Sequence, residues 1–207
     1  VFVVFEGIDG AGKTTQARML YDRLKSEGGR VEQVADPGTT QIGTAIRQIL
    51  LHNDAPISSA AQMLLFSAAR AELAAYIRER LADNFTVICD RWLLSTLVYQ
   101  GEINRIDEEF ILQVFRQTSS LVPDLCFLLD MPGDISVQRT GPGRDRYERI
   151  PVETRVAMRQ AYLRHASKRE AGEQTFISDA LLSPDAVHKH VYSSYYACKY
   201  SPATVET

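Results

Sequence analysis

The chain has 207 residues, 45% of them hydrophobic, and 23 basic against 26 acidic side chains give a net charge of −3. That length fits one domain or two small ones with a proper buried core, and the charge gives no bulk attraction to nucleic acid or to an acidic membrane. Three cysteines, Cys89, Cys126 and Cys198, are too few and too scattered for a disulfide framework or a zinc site, and no apolar run approaches the ~20 residues of a membrane span.

In chain order, Val1 to Phe5 reads as a strand buried on both faces. A glycine-rich turn follows, then a helix over Thr15–Glu27 with Ala17, Leu20, Tyr21 and Leu24 at helical spacing and Gly28-Gly29 as its stop. Arg30 to Ala35 is expected as a second strand, and Thr40 to Leu51 as a short amphipathic helix with Ile42, Ile46, Ile49 and Leu50 apolar. A long helix over Ser59–Leu81 opens on a capping box, Ser59-Ala60-Ala61-Gln62. Phe85 to Cys89 is a third strand, with a helix expected from Asp90 to Gly101. A further helix, Asp107–Ser119, carries Phe110, Ile111, Val114 and Phe115 on one stripe. Leu125 to Leu129 is a fourth strand. Pro151 to Ala171 is a helix with Pro at its start and Gly172 past its end. Gln174 to Ile177 is a fifth strand and Asp185 to Ala197 a last helix; residues 200–207 are expected as a mobile tail. No signal peptide is visible, so a cytoplasmic setting is expected.

Strand–helix alternation implies a parallel sheet wrapped on both faces. No composition shift divides the chain, so residues 1–199 are expected as one domain. Ligands in such sheets sit outside the carboxyl ends of the strands. The loops after Phe5, Ala35, Cys89 and Leu129 therefore surround one cleft.

The first of these loops names a ligand. Gly7-Ile8-Asp9-Gly10-Ala11-Gly12-Lys13-Thr14 fits the P-loop pattern G-x-x-x-x-G-K-[ST] without a mismatch. Phosphate oxygens must be approached by backbone N–H groups, and Gly7, Gly10 and Gly12 remove the side chains that would block them. Lys13 reaches the β/γ-phosphates, Thr14 supplies a hydroxyl for Mg²⁺, and the next helix turns its N-terminus to the anion. Asp9 lies inside the loop, where a carboxylate must hold a cation or bind a substrate hydroxyl to offset its repulsion of phosphate; as an isolated observation it equally fits an exposed turn.

Asp90-Arg91 follows the third strand directly. The acid is placed to hold Mg²⁺ through water and the Arg to grip a phosphate in bidentate fashion. Phe66 and Arg70 share a helix face at i, i+4, a flat aromatic beside a fork of donors, suited to a planar heterocycle. Ser95 and Tyr99 repeat that spacing, and Gln100 offers both a donor and an acceptor to a base edge. Arg139, Arg144, Arg146 and Arg149 cluster around Gly141, Pro142 and Gly143, as in a lid over a triphosphate, about residues 139–149. There is no apolar strand ending in Asp-Glu and no N-K-x-D. A kinase acting on a bound acceptor fits better than a motor ATPase or a GTPase.

Taken together, these segments resemble the thymidylate kinase family. The similar motifs are FEGIDGAGKTTQ at Phe5–Gln16, DPGTTQIG at Asp36–Gly43, LLFSAAR at Leu64–Arg70, DRWLLSTLVYQG at Asp90–Gly101, PDLCFLLD at Pro123–Asp130 and RTGPGRDRYE at Arg139–Glu148. The resemblance implies a P-loop NTPase-type three-layer sandwich, with a five-stranded parallel sheet, helices on both faces and a short Arg-rich lid. It implies a homodimer, ATP with Mg²⁺ as donor, thymidine monophosphate as acceptor, and neither nucleic acid nor membrane as partner. Carried over by motif, Gly7, Gly10, Ala11, Gly12, Lys13, Thr14 and Thr15 hold ATP, and Thr14 with Asp90 positions Mg²⁺. Asp9 contacts the acceptor sugar, Arg91 its phosphate, Phe66 stacks on thymine, and Arg70 and Gln100 lie near its polar edge. Tyr99 packs against the sugar, and Asp36 and Ser95 belong to the same acceptor site. Position 10 is Gly, so the catalytic Arg must come from the lid, as Arg144 or Arg146. Two departures stand out. Ala35 replaces an Arg that often helps grip the acceptor phosphate, and Glu102 to Ile106 lacks the Gly-rich, basic form. The expectation is an ATP:thymidylate phosphotransferase. A deoxynucleoside or other nucleoside-monophosphate kinase with a shifted acceptor, and a nucleotide-binding regulator without catalysis, are the alternatives.

Overall fold

The computed structural model describes residues 1–52, 55–141, 147, 150–168 and 173–200. Five strands, β1 (Phe2–Glu6), β2 (Val31–Ala35), β3 (Thr86–Asp90), β4 (Leu125–Asp130) and β5 (Gln174–Asp179), form one sheet in the order β2-β3-β1-β4-β5. All four pairings are parallel, and the five expected strands are all present.

Register places the site. Phe5 on β1 and Ala35 on β2 both pair with Asp90 at the end of β3. Asp36 N–H donates to Asp90 C=O at 3.0 Å. Three strands thus end level, and the loops that leave them meet. The order reverses at β1, which is where open α/β sheets keep their ligands.

Alternation along β1 splits the core. Val3 and Phe5 pack with Leu20 and Leu24 of α1 (Lys13–Ser26), with Met158 and Tyr162 of α7 (Val152–Ala166), and with Val191 of α8 (Pro184–Tyr200). Phe2 and Val4 face the other way, onto Leu73 and Ile77 of α3 (Ser59–Ala82) and Ile111 and Phe115 of α5 (Glu108–Thr118). Helix α2 (Gln41–His52) seals against α3 through Ile46, Leu50 and Ala69.

Several boundaries differ from expectation for local reasons. The cap of α3 is Ser58, whose hydroxyl accepts from Ala61 N–H at 3.3 Å, while Gln62 turns away to donate to Ile57 C=O. The helix expected from Asp90 starts at Leu93 as a single turn, α4 (Leu93–Thr96), because Arg91 at φ 74 breaks the helical path. It then widens into a π-helix, Leu97–Ile103. A helix that was not expected, α6 (Gly133–Thr140), follows β4. Helix α7 ends at Ala166, before the expected Ala171. Tyr200, expected in the tail, is the last residue of α8; 201–207 lie outside the described residues.

Candidate active site

The P-loop joins β1 to α1. Gly7, Gly10 and Gly12 all have positive φ, at 138°, 80° and 94°. At Gly7 the requirement is also steric: a Cβ would meet Leu129 C=O at 2.6 Å. Gly12 caps α1 with no side-chain hydrogen bond, which leaves the first helical N–H groups available to an anion.

Lys13 is 5% exposed, and its Nζ donates to Ile8 C=O at 2.9 Å and lies 4.0 Å from Asp9. Burial, reinforced by Arg91, lowers its pKa to about 8, with Asp9, Asp90 and Glu6 acting against the shift. Thr14 Oγ1 donates to Asp90 Oδ2 at 2.5 Å. This hydroxyl–carboxylate pair is the donor set Mg²⁺ takes when phosphates and water complete its shell, so the residues fit that ion. Among the described residues no group of three or more His, Cys, Asp or Glu forms an all-protein cage for a metal.

Arg91 stands opposite the P-loop. Its Nη2 donates to Asp9 Oδ1, and its Nη1 lies 3.2 Å from Gly7 C=O, 3.1 Å from Ser95 Oγ and 3.2 Å from Tyr162 OH. Asp9 also accepts from Tyr99 OH at 2.9 Å. Burial alone would raise the Asp9 carboxyl, but Arg91, Lys13 and the Tyr99 hydroxyl bring it down to about 2. Burial works against the charge on Arg91, yet Tyr99, Asp9, Tyr162 and Asp90 hold its pKa well above the usual value. The pair is therefore fully ionised.

The far wall is built by α2, α3 and the π-helix. Phe66 is half-buried, with its ring 6.0 Å from that of Tyr147. Tyr147 also meets Tyr99 edge-on at 5.6 Å, and its hydroxyl donates to Gln62 Oε1 at 2.8 Å. Arg70 is buried. Its Nε donates to Asp36 Oδ2 at 2.6 Å and its Nη2 to Thr96 Oγ1 at 2.5 Å and Trp92 C=O at 3.3 Å. Burial pushes the Asp36 carboxyl up, with the Arg70 charge pulling the other way. Two buried atoms in this wall, Asp36 Oδ1 and Gln100 Nε2, have no hydrogen-bond partner among the described residues.

The two walls enclose a cleft of about 440 Å³. Of the residues expected in the site, Asp9, Gly10, Gly12, Lys13, Thr14, Thr15, Asp36, Phe66, Arg70, Asp90, Arg91, Ser95, Tyr99 and Gln100 line it. Gly7 and Ala11 belong to the same loop behind the lining. Arg139, expected in the lid, lies in the last turn of α6, lines the cleft and donates to Ala180 C=O at 3.1 Å. Arg144, Arg146 and Arg149 lie outside the described residues. Sequence reasoning missed Pro37, Arg47, Leu51, Thr96, Thr140 and Tyr147 in the lining. Arg47 and Leu51 are spaced i, i+4 on α2 after the buried Gly43, so an Arg on the covered face of that helix was the available signal.

A phosphate loop facing a second, aromatic-walled subsite is the layout of an enzyme with two nucleotide substrates. The comparisons with known proteins agree: the family model for thymidylate kinase matches residues 5–191. The chain belongs to the thymidylate kinase family. It is 40% identical to a thymidylate kinase of Rhodopirellula baltica over 86% of this chain and 73% of that one. It is 38% identical to the thymidylate kinase of Prosthecochloris aestuarii, with 92% and 91% covered. Its fold superposes on the crystal structure of thymidylate kinase from Ehrlichia chaffeensis with a TM-score of 0.75 at 27% identity, over 95% of this chain and 98% of that one. Membership carries the parallel-sheet fold and the class of enzyme, a nucleotide-binding kinase, to this chain.

Proposed function

We propose that this chain transfers the γ-phosphoryl group of ATP to thymidine monophosphate, giving thymidine diphosphate and ADP. The observation that carries the reading is the two-ended cleft, with Lys13 and the P-loop at one end and Phe66, Arg70 and Gln100 at the other. Residues 1–199 act as one kinase domain, in the cytoplasm where ATP is supplied; among the described residues no helix is long and apolar enough to cross a membrane.

The donor phosphates lie on the P-loop N–H groups and Lys13. Thr14 and Asp90 hold Mg²⁺, which neutralises phosphate charge when bound. The acceptor base stacks on Phe66. The unpartnered Gln100 Nε2 and Asp36 Oδ1 supply a donor and an acceptor for its edge, and Arg70 adds Nη1, the donor not engaged with Asp36, Thr96 or Trp92. Asp9 and Tyr99 meet the sugar, and Ser95 supports Arg91, which takes the acceptor phosphate in its donor fork. Either Arg144 or Arg146 supplies the remaining charge for the transferring group. Removing such an Arg lowers the rate about 10³–10⁵-fold in comparable systems. Catalysis here is positioning and charge neutralisation, with no covalent enzyme intermediate.

ADP release measured across all nucleosides and nucleoside monophosphates tests this. Thymidine monophosphate is expected to be turned over fastest. Turnover of another acceptor without thymidine monophosphate, or ATP binding with no turnover of any acceptor, overturns the assignment.

A further inference from the structure

Behind Arg91 lies a chain of hydrogen bonds that runs away from the cleft into the core. Glu6, the last residue of β1, is 0% exposed. Its Oε1 accepts from Trp92 N–H at 2.7 Å and Ser95 N–H at 3.2 Å, and its Oε2 accepts from Ser95 Oγ at 2.6 Å. Burial pushes the Glu6 carboxyl up, and the Ser95 hydroxyl, the Arg91 charge and the two backbone N–H groups pull it back; as the carboxylate these donors favour, Glu6 acts as an acceptor only.

That end fixes the direction of every bond beyond it. Ser95 has one hydroxyl proton, and Glu6 takes it. Toward Tyr162, 2.9 Å away, Ser95 Oγ can then only accept, so Tyr162 donates. With its proton committed, Tyr162 presents a lone pair to Arg91 Nη1 at 3.2 Å, and Ser95 presents another at 3.1 Å. The order Arg91 to Tyr162 to Ser95 to Glu6 runs one way, and each bond polarises the next. Nη1 is held from behind while Nη2 faces Asp9 at the cleft. Nη1 also reaches Gly7 C=O of the P-loop at 3.2 Å, but its two other partners stand outside that loop, Tyr162 on α7 and Ser95 on α4, the latter anchored in turn by Glu6 of β1.

We propose that Tyr162 and Glu6 are positioning residues for acceptor-phosphate recognition, holding the Arg91 guanidinium through this one-way chain. The inference rests on the reading of Arg91 as the group that takes the acceptor phosphate. A role confined to core packing predicts something else: loss of stability with no preference between ligands that have and lack a phosphate.

Thymidine monophosphate and thymidine share base and sugar and differ by the phosphate. Their dissociation constants, measured by calorimetry and competition for the unaltered chain and for Tyr162→Phe, Glu6→Gln and Arg91→Ala, separate the possibilities. Tyr162→Phe removes one oxygen and keeps the ring. Glu6→Gln keeps the shape but turns an acceptor into a donor facing Ser95. Both are expected to weaken the monophosphate about tenfold, the scale of a lost hydrogen bond to a charged group, while thymidine binds as before. Arg91→Ala is expected to show a larger loss with the same selectivity. If Arg91→Ala shows no phosphate selectivity, the reading of Arg91 itself falls. If Arg91→Ala is selective and Tyr162→Phe is not, the positioning role is overturned and the Arg91 reading stands. An equal loss for both ligands in Tyr162→Phe, with a lowered Tm, also overturns it. Should Glu6→Gln fail to fold, Tyr162→Phe decides the matter alone.

Discussion

At the scale of single residues, two of the three acids that line the cleft, Asp36 and Asp9, do different work. Asp36 is bound to Arg70 in a buried pair. Removing one partner of such a pair leaves the other charge buried and uncompensated, at a cost of about 3–5 kcal/mol. Arg70→Ala is therefore expected to lower stability as well as acceptor affinity, with ATP affinity the least changed. Urea denaturation should show Asp36→Ala/Arg70→Ala recovering part of the single-variant loss. A double variant no more stable than Arg70→Ala would mean the pair is not the source. Asp9 is the opposite case, an ionised acid held by opposite charge at a pKa of about 2 against 3.8 for the free side chain. A folded-state pKa below the unfolded one gives stability that is complete above about pH 4 and lost as pH falls toward 2, about 2 kcal/mol in all. Asp9→Asn should flatten the fall in urea midpoint over that window. An unchanged pH slope would remove Asp9 from the account of acid unfolding.

At the scale of elements, what the sequence announced and what it hid divide on physical lines. The P-loop was legible because its residues are contiguous and its glycines answer to backbone geometry. Helix α6 was not, because Gly133 to Thr140 has only Ile135 and Val137 as apolar residues, two apart, with no helical stripe. It packs through small residues: a Cβ on Gly133 would meet Val156 N at 2.9 Å, and Ser136 Oγ donates to Asp9 C=O at 2.6 Å. The π-helix has no compositional mark, though it carries Tyr99 and Gln100 into the cleft. The Glu6–Ser95–Tyr162 chain was hidden for another reason. Glu6 ends an apolar run, Ser95 follows Leu93-Leu94 and Tyr162 sits in a mixed helix, three distant segments to which only tertiary contact gives a common purpose. Helix α6 also bears on the P-loop. A Cβ at Gly10 would lie 3.2 Å from Arg139 Cβ and Ser136 C=O and 3.3 Å from Thr140 Cγ2, on a residue at φ 80. That crowding supports a catalytic Arg from elsewhere than position 10. Gly10→Ala is expected to destabilise by about 1–2 kcal/mol, the cost of a left-handed conformation for a residue with a Cβ, and to reduce turnover. Retention of both wild-type stability and activity would show that α6 yields freely.

At the scale of the whole molecule, the sheet order sets what faces the cleft and what is left to face outward. Three helices on one side, α2, α3 and α5, pack in sequence against one another, and the first two close the acceptor end through Arg47, Leu51, Phe66 and Arg70. Their outer surfaces carry Ile42 and Ile49, Leu64 and Phe110, each between 43% and 56% exposed. Single apolar residues on a surface need no explanation, but four on adjoining helices of one layer do. With a net charge of only −3, little long-range repulsion opposes the meeting of two copies. We propose that the homodimer which the motif resemblance implied joins through these helices, in an isologous contact where the same patch serves both copies. Such a contact would brace α2 and α3, and through them Arg47, Phe66 and Arg70, so association and acceptor affinity are expected to change together. Sedimentation equilibrium at micromolar concentration should give twice the monomer mass. Leu64→Glu, placing an unpaired charge in the apolar contact of both copies at a position outside the cleft lining, should give the monomer with a weakened acceptor KM and an unaltered one for ATP. A wild-type chain that sediments as a monomer, or a Leu64→Glu variant that stays dimeric, would place the partner of these helices elsewhere.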